Sequence, residues 1–279
     1  MTQQRKTLRE FAKDLITAGM MMQPLDLNYG MDSPTGEVLS HMENQDFDCF
    51  VIAVEEDGPH GVNQYRTLRY VLQSEIKERI KLDAEKAGQP LYEALTNKQL
   101  RRNFPSDRIL SEQTALGEVT TLIHEGGATA SARLPVLIRT SALDPDWHII
   151  SVADFSAPAG LAATMCMIQV VDARLAEEIS GSINEEQAKS AIGPKQWKAA
   201  AAADESKKKW NESTGILNCL SFNDRIEIYK KLLADGNDEG LENLNTTRNG
   251  VVHGRNDEVS GEQALDAFMT ADRILDALG

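Results

Sequence analysis

Residues 148–155 read HIISVADF. A short β-favouring run, with Trp147 before it and Ile149 and Ile150 inside it, meets a hydroxyl at Ser151. A carboxylate follows three positions later at Asp154. Isoleucine and tryptophan suit a pleated, half-buried surface. Serine and aspartate suit the point where a strand gives way to a helix, because their oxygens accept the unpartnered first N–H groups. The stretch therefore predicts a strand, a tight turn at Ser151 and a helix start near Asp154.

Working outward, PVLIRT (135–140) leads through the turn cluster LDPD (143–146) into this strand, and the two together predict a β-hairpin. Upstream, LGEV (116–119) opens an amphipathic helix marked by Val119, Leu122 and Ile123. The same order occurs earlier. TGEV (35–38) opens a helix marked by Val38, Leu39 and Met42; DCFVIAV (48–54) is β-rich; EEDG (55–58) is a turn cluster; HGVNQY (60–65) follows. Each copy reads helix, strand, turn, strand, helix. In the first copy the stretch GVNQYRTL places Gln64 and Thr67 where the second has Ser151 and Asp154. Between the copies, residues 68–88 and 90–104 read as helices divided by Gly88 and Pro90.

From Pro158 the pattern is helical throughout, and about five helices are expected. LAATMCMIQVVDARLAEEI (161–179) is apolar and then amphipathic. Residues 184–212 form a polar helical stretch interrupted near Gly193 and Pro194. FNDRIEIYKKLLA (222–234) and DEGLENLNTTRNGVVHG (238–254) follow, the latter stopped by Gly254. Ser260 with Gln263 three residues later gives a capping pattern. Leu265, Phe268, Ala271, Leu275 and Leu278 then form a buried stripe. The fold class is α+β, with an α+β half over 1–155 and an all-helical half over 156–279.

Composition narrows the function. The 279-residue chain carries a formal charge of -14. Residues 1–155 hold 16 Lys and Arg against 23 Asp and Glu, and residues 156–279 hold 13 against 20, so each half is -7. This argues against a broad nucleic-acid surface and against DNA as a partner. SKKKW (206–210) reads as a solvated helix face. No run of about 18 apolar residues occurs, so no membrane span is expected. The charged N-terminus lacks an apolar signal core, and a cytoplasmic protein is expected. Cys49, Cys166 and Cys219 fit neither a disulfide framework nor a paired-cysteine metal site. The histidines lack metal-ligand spacing, so no metal is expected.

Residues 20–155 resemble a tandem pair of CBS domains (cystathionine-β-synthase type), on the two GEV segments, DFDCFVIAV and above all HIISVADF. The copies span about 20–75 and 104–155. The resemblance implies an adenine nucleotide as regulatory ligand (AMP, ADP, ATP or a related adenosyl compound), with Ser151 and Asp154 as binding residues. A carboxylate at a helix start can accept ribose hydroxyls, and nearby N–H groups can donate to phosphate. The alternative is that Asp154 only caps its helix and Ser151 only ends its strand.

Residues 156–279 resemble a HEPN domain, on LNCLSFNDRIEIYKKLL (217–233) and TTRNGVVHG (246–254). Arg248, Asn249 and His253 match its Arg-polar-x-x-x-His hallmark. The resemblance implies a metal-independent ribonuclease acting as a homodimer or higher even oligomer, with RNA in a local cleft. RNA cleavage without metal needs a base, an acid and a cation for the phosphorane. Histidine suits the first two roles and arginine the third. One motif histidine per chain asks for two chains. Asn249 would orient a phosphate or the histidine. The alternatives are a helix-end His253 favoured by the helix C-terminus, and an Arg248 paired with Glu242 or Asp257. On that alternative the protein is a non-enzymatic nucleotide sensor whose helical tail dimerises or docks a partner.

Overall fold

The computed structural model describes residues 8–24, 29–45, 47–57, 64–125, 134–140, 147–210, 212, 215–234, 240–255 and 258–278. It is a mixed α+β structure, mostly helical, with two small sheets. The chain forms two units. One is Ile16–Ala157; the other joins Pro158–Gly279 to the N-terminal segment that ends at Leu15. The change of unit thus falls two residues beyond the boundary read from the sequence, and residues 8–15 belong with the helices.

In the unit Ile16–Ala157, each copy contributes a strand, a helix and a hairpin. β1 (Gln23–Pro24), α1 (Thr35–Asn44), β2 (Cys49–Asp57), β3 (Gln64–Leu72) and α2 (Gln73–Leu82) come first. Two one-turn helices follow, α3 (Leu91–Ala94) and α4 (Asn97–Leu100). β4 (Ile109–Ser111), α5 (Leu116–Glu125), β5 (Val136–Arg139) and β6 (Trp147–Ile150) complete the second copy. β4, β5, β6 and β1 form one sheet in the order β1-β6-β5-β4, with β4 parallel to β5 and the other pairs antiparallel. β2 and β3 pair antiparallel from Cys49 opposite Leu72 to Asp57 opposite Gln64.

The β2–β3 pair explains where the sequence reading slips. Residues 68–72 were expected to start a helix, and they are strand. Glu55–Asp57, expected in a turn, also belong to β2. β2 is apolar on both faces, and its side chains alternate between two cores. Phe50 and Ile52 join Val71, Ile76, Val38 and Met42 in one. Val51 joins Leu68, Phe104, Leu137 and Ile149 in the other. A long partner strand is needed to keep that ladder paired, and this tertiary demand overrides the helical spacing of LRYVL. The outer edge of β3 is paired as well: Tyr70 N–H donates to Arg102 O at 3.1 Å and Phe104 N–H to Leu68 O at 2.8 Å. Residues 90–104, read as one helix, break into α3 and α4 because the Thr96 hydroxyl accepts from Gln99 N–H and starts a new turn.

The helical unit holds α6 (Pro158–Ser182), α7 (Glu185–Ile192), α8 (Pro194–Lys208), α9 (Phe222–Leu232), α10 (Leu241–Val252) and α11 (Gly261–Ala277). The break between α7 and α8 falls at Gly193, whose φ is 85°, with Pro194 opening the next helix. α6 packs chiefly against α11, and the Thr164 hydroxyl donates to Ala264 O at 3.3 Å. By length and composition α6 could cross a membrane, although it holds no unbroken run of about 18 apolar residues; half of its apolar window is buried inside the protein. The N-terminal segment is tied to α11 by ion pairs. Arg9 reaches Asp272 at 2.7 Å and Asp276 at 2.5 Å, and Lys13 reaches Asp272 at 2.7 Å.

Gly250 in α10 lies hard against Val259: a Cβ there would meet Val259 Cγ2 at 2.5 Å. Gly181, near the end of α6, has open space around it. Gly250→Ala should lower stability by about 1–3 kcal/mol through overpacking. Gly181→Ala should raise it by up to about 1 kcal/mol through helix propensity. Urea unfolding of the two variants checks the contrast, and equal effects would mean that the α10 contact is not maintained.

Candidate functional site

The turn after β6 forms as its sequence suggests. Ser151 N–H donates to Asp154 Oδ2 at 2.7 Å and Ser151 Oγ–H donates to the same oxygen at 3.0 Å. A short 3-10 turn, Ala153–Ser156, carries the carboxyl group inward, leaving Asp154 8% exposed. Burial raises the Asp154 pKa above the usual carboxylate range, against the opposing effect of the bonds from Ser151.

Asp154 lines a cleft of about 470 Å³, within the range of small-molecule sites. Its apolar wall is Cys49, Phe50, Val51 and Ile149, with Phe47 beside them. Its polar groups come from Gln23, His41, Gln45 and Ser156. The His41 ring lies among aromatic neighbours, with ring centroids 5.0 Å from Tyr29, 5.8 Å from Phe50 and 6.3 Å from Phe47. Cys49 is buried, and burial pushes its thiol well above its ordinary range, so it is a wall and not a nucleophile. Ser151 borders a smaller adjoining hollow with Asp48, Cys49 and Pro135. Of the two residues predicted to bind together, Asp154 faces the cleft, and Ser151 orients Asp154.

The first copy contains a counterpart that the sequence reading misplaced. Gln64 and Thr67 lie within β3, well before the strand end. The position matching Ser151 is Leu72, whose N–H donates to Glu75 Oε2 at 3.4 Å, just as Ser151 N–H donates to Asp154. Both copies therefore place an acid three residues beyond the turn residue whose N–H it accepts. Their surroundings differ. Arg102 forms an ion pair with Glu75, donates from Nε to Gln99 O at 3.3 Å, and lies 4.9 Å above the Tyr70 ring. Asp154 has no Lys or Arg partner among the described residues.

In the helical unit, α10 carries Arg248 and Asn249 near its end, and His253 is the residue that closes it. The His253 N–H donates to Asn249 O at 3.1 Å, and Gly254, with φ 69°, turns the chain away. Arg248 is half-buried, its guanidinium 5.7 Å from the Phe222 ring centroid and its Nη1 donating to Asn249 Oδ1 at 3.4 Å. His253 is exposed. No hydrogen bond joins Arg248 to His253 among the described residues. The suggested pairing of Arg248 with Glu242 does not form, because Glu242 takes Lys230 at 2.6 Å instead. Asp257 lies outside the described residues. Among the described residues no cluster of three or more His, Cys, Asp or Glu is placed to hold a metal.

His41, Phe47 and Gln45 are cleft residues that the sequence reading did not single out. They belong to no motif, and they meet Asp154 only because the hairpin brings the two copies together. Glu75 could have been found by aligning the copies on Leu72 and Ser151, with the acid three residues beyond, in place of the GEV segments.

A carboxyl group with a raised pKa holds its proton more tightly when folded. Its contribution to stability is therefore greatest below the unfolded value, about 3.9, and is lost as pH rises through the folded value. Asp154→Asn keeps an acceptor for Ser151 and removes this titration. The stability of Asp154→Asn relative to the parent should increase between about pH 4 and pH 7, measured by urea unfolding. A difference that stays level would show that the folded protein does not penalise the charge.

No family model matches this sequence, and neither does any curated protein. Among solved structures, a crystal structure described as an acetoin utilization protein (AcuB) from Vibrio cholerae is similar with a TM-score of 0.34 at 15% sequence identity. The similarity covers 61% of this chain and 98% of that one. A likeness this slight assigns neither fold nor function.

Proposed function

We propose that residues 16–157 are a tandem CBS-type module that binds an adenosyl ligand, and that the protein is regulatory. The carrying observation is the cleft walled by Asp154 at the strand-end turn of the second copy. The repeated strand, helix and hairpin supports the same reading. The geometry suits a nucleoside. Asp154 Oδ2 is held by Ser151, and the carboxylate retains lone pairs for ribose hydroxyls. Phe47 and Phe50 offer apolar surface for a base, and the amides of Gln23 and Gln45 can both donate and accept at the base edge. The first copy contributes no equal site, since Arg102 already occupies its acid. One ligand per chain is expected.

The test is thermal unfolding with a panel of adenine compounds. A binder at a hundredfold excess over its dissociation constant should stabilise the folded state by about 2.7 kcal/mol. Asp154→Ala should remove that gain while the unliganded variant remains folded. An equal gain in Asp154→Ala would leave the carboxylate as a turn cap alone.

A second reading, a metal-independent ribonuclease, is favoured by one observation: His253 is exposed at a helix end, five residues after Arg248 and its Asn249 partner. This chemistry asks for two chains to bring two histidines to one RNA, hence a homodimer or a higher even oligomer. Incubation of the protein with mixed RNA in EDTA should then give products with 2′,3′-cyclic phosphate ends. His253→Ala should abolish cleavage and change stability by no more than about 0.5 kcal/mol, as for an exposed side chain. Uncut RNA with the parent protein would remove this reading and leave the regulatory one intact.

A further inference from the structure

Among the described residues that line the cleft, the acidic one is Asp154, and the charge they present is negative. The other described lining groups are amides, hydroxyl, imidazole, thiol and apolar side chains. Two guanidinium groups are close enough to act on the Cys49 thiol, Arg102 and Arg108. Neither is available to a ligand. Arg102 is held by Glu75 and the Gln99 carbonyl. Arg108 is buried and donates from Nη1 to Leu134 O and from Nη2 to Leu122 O, each at 2.7 Å. Breaking those two bonds would leave buried carbonyls unpartnered. Among the described residues the cations near the cleft are therefore structural, and the acid is the charged group left to meet the ligand.

We infer that this cleft selects adenosine-type ligands by charge, preferring a neutral or cationic group at the ribose 5′ position and discriminating against 5′-phosphates. The inference rests on the proposed adenosyl reading and narrows it. Phosphate sites are ordinarily built from arginine, lysine or a row of N–H groups, which match the phosphate oxygens. Here a phosphate would enter a site of weak solvent screening beside a carboxylate, where like charges repel more strongly than in water. A cation would offset the cost of burying Asp154 in its ionised form. The polar groups that remain, the Gln23 and Gln45 amides and Ser156, can satisfy a base and a sugar without a phosphate.

Three ligands of one shape separate the possibilities: 5′-amino-5′-deoxyadenosine, adenosine and AMP, which differ chiefly in charge at one position. Dissociation constants from calorimetry on the full chain, in EDTA at low ionic strength, should rise in that order, with AMP at least tenfold weaker than adenosine. ATP should be weaker again. Added salt should narrow the spread, because screening weakens the repulsion. Gln45→Lys changes an exposed residue at the cleft, so the fold is expected to survive. It should reduce the preference for adenosine over AMP by at least tenfold. AMP binding as tightly as adenosine to the parent protein would overturn the inference and leave the adenosyl reading standing. ATP binding that is tighter than adenosine only when Mg²⁺ is added would also overturn it, by giving the acid to a metal. Binding of none of the four compounds would sink both readings together.

Discussion

The unit Ile16–Ala157 depends on burying both faces of β2. Cys49 to Ile52 is an unbroken apolar run, and a strand projects successive side chains to opposite sides. One side must find Val38, Met42 and Ile76, and the other must find Leu137 and Ile149. The first set comes from the first copy and the second from the second copy. A single copy would leave half of this strand in water, so the two copies must pack together. The cleft follows from the same requirement. Cys49, Phe50 and Val51 supply part of its wall from one copy, and Ile149 and Asp154 supply part from the other.

The two strand-end acids show how similar backbone geometry can carry different chemistry. Glu75 and Asp154 each accept a backbone N–H three residues upstream. Glu75 is neutralised by Arg102, which also stacks on Tyr70, so the first copy resolves its charge internally. Asp154 is buried, and that burial raises its pKa against the opposing effect of its bonds from Ser151. A buried acid without a cation costs stability unless something offsets it. That unfavourable arrangement, beside an open cleft, distinguishes the Asp154 position from the Glu75 position.

The helical unit is organised by α6 and α11, which bury each other's apolar faces. α11 also holds the chain's N-terminal segment through Asp272. The end of α10 has a different character. Thr247 and Gly250 are buried and Gly250 is pressed on Val259, while Val252 and His253 are exposed one turn later. The helix is thus fixed along its buried side and presents its last residues outward. Arg248 lies between these regimes, its guanidinium over Phe222 and bonded to Asn249.

The division into an α+β part and a helical part, the repeat of helix and hairpin, the Ser151–Asp154 turn, the breaks at Gly193 and Gly254, and the capping of α11 were all legible in the amino-acid order. These are local matters: capping oxygens, positive φ and hydrophobic period act over a few residues. Tertiary structure decided the rest. LRYVL became strand because β2 needed a long partner. Residues 8–15 joined the helical unit because Asp272 and Asp276 hold Arg9 and Lys13. Arg102 found Glu75, and Glu242 found Lys230 in place of Arg248, because partners 27 and 12 residues apart are set by packing. His41, Phe47 and Gln45 became neighbours of Asp154 for the same reason. A cleft is a property of surfaces that meet, and no spacing along the chain encodes which surfaces those will be.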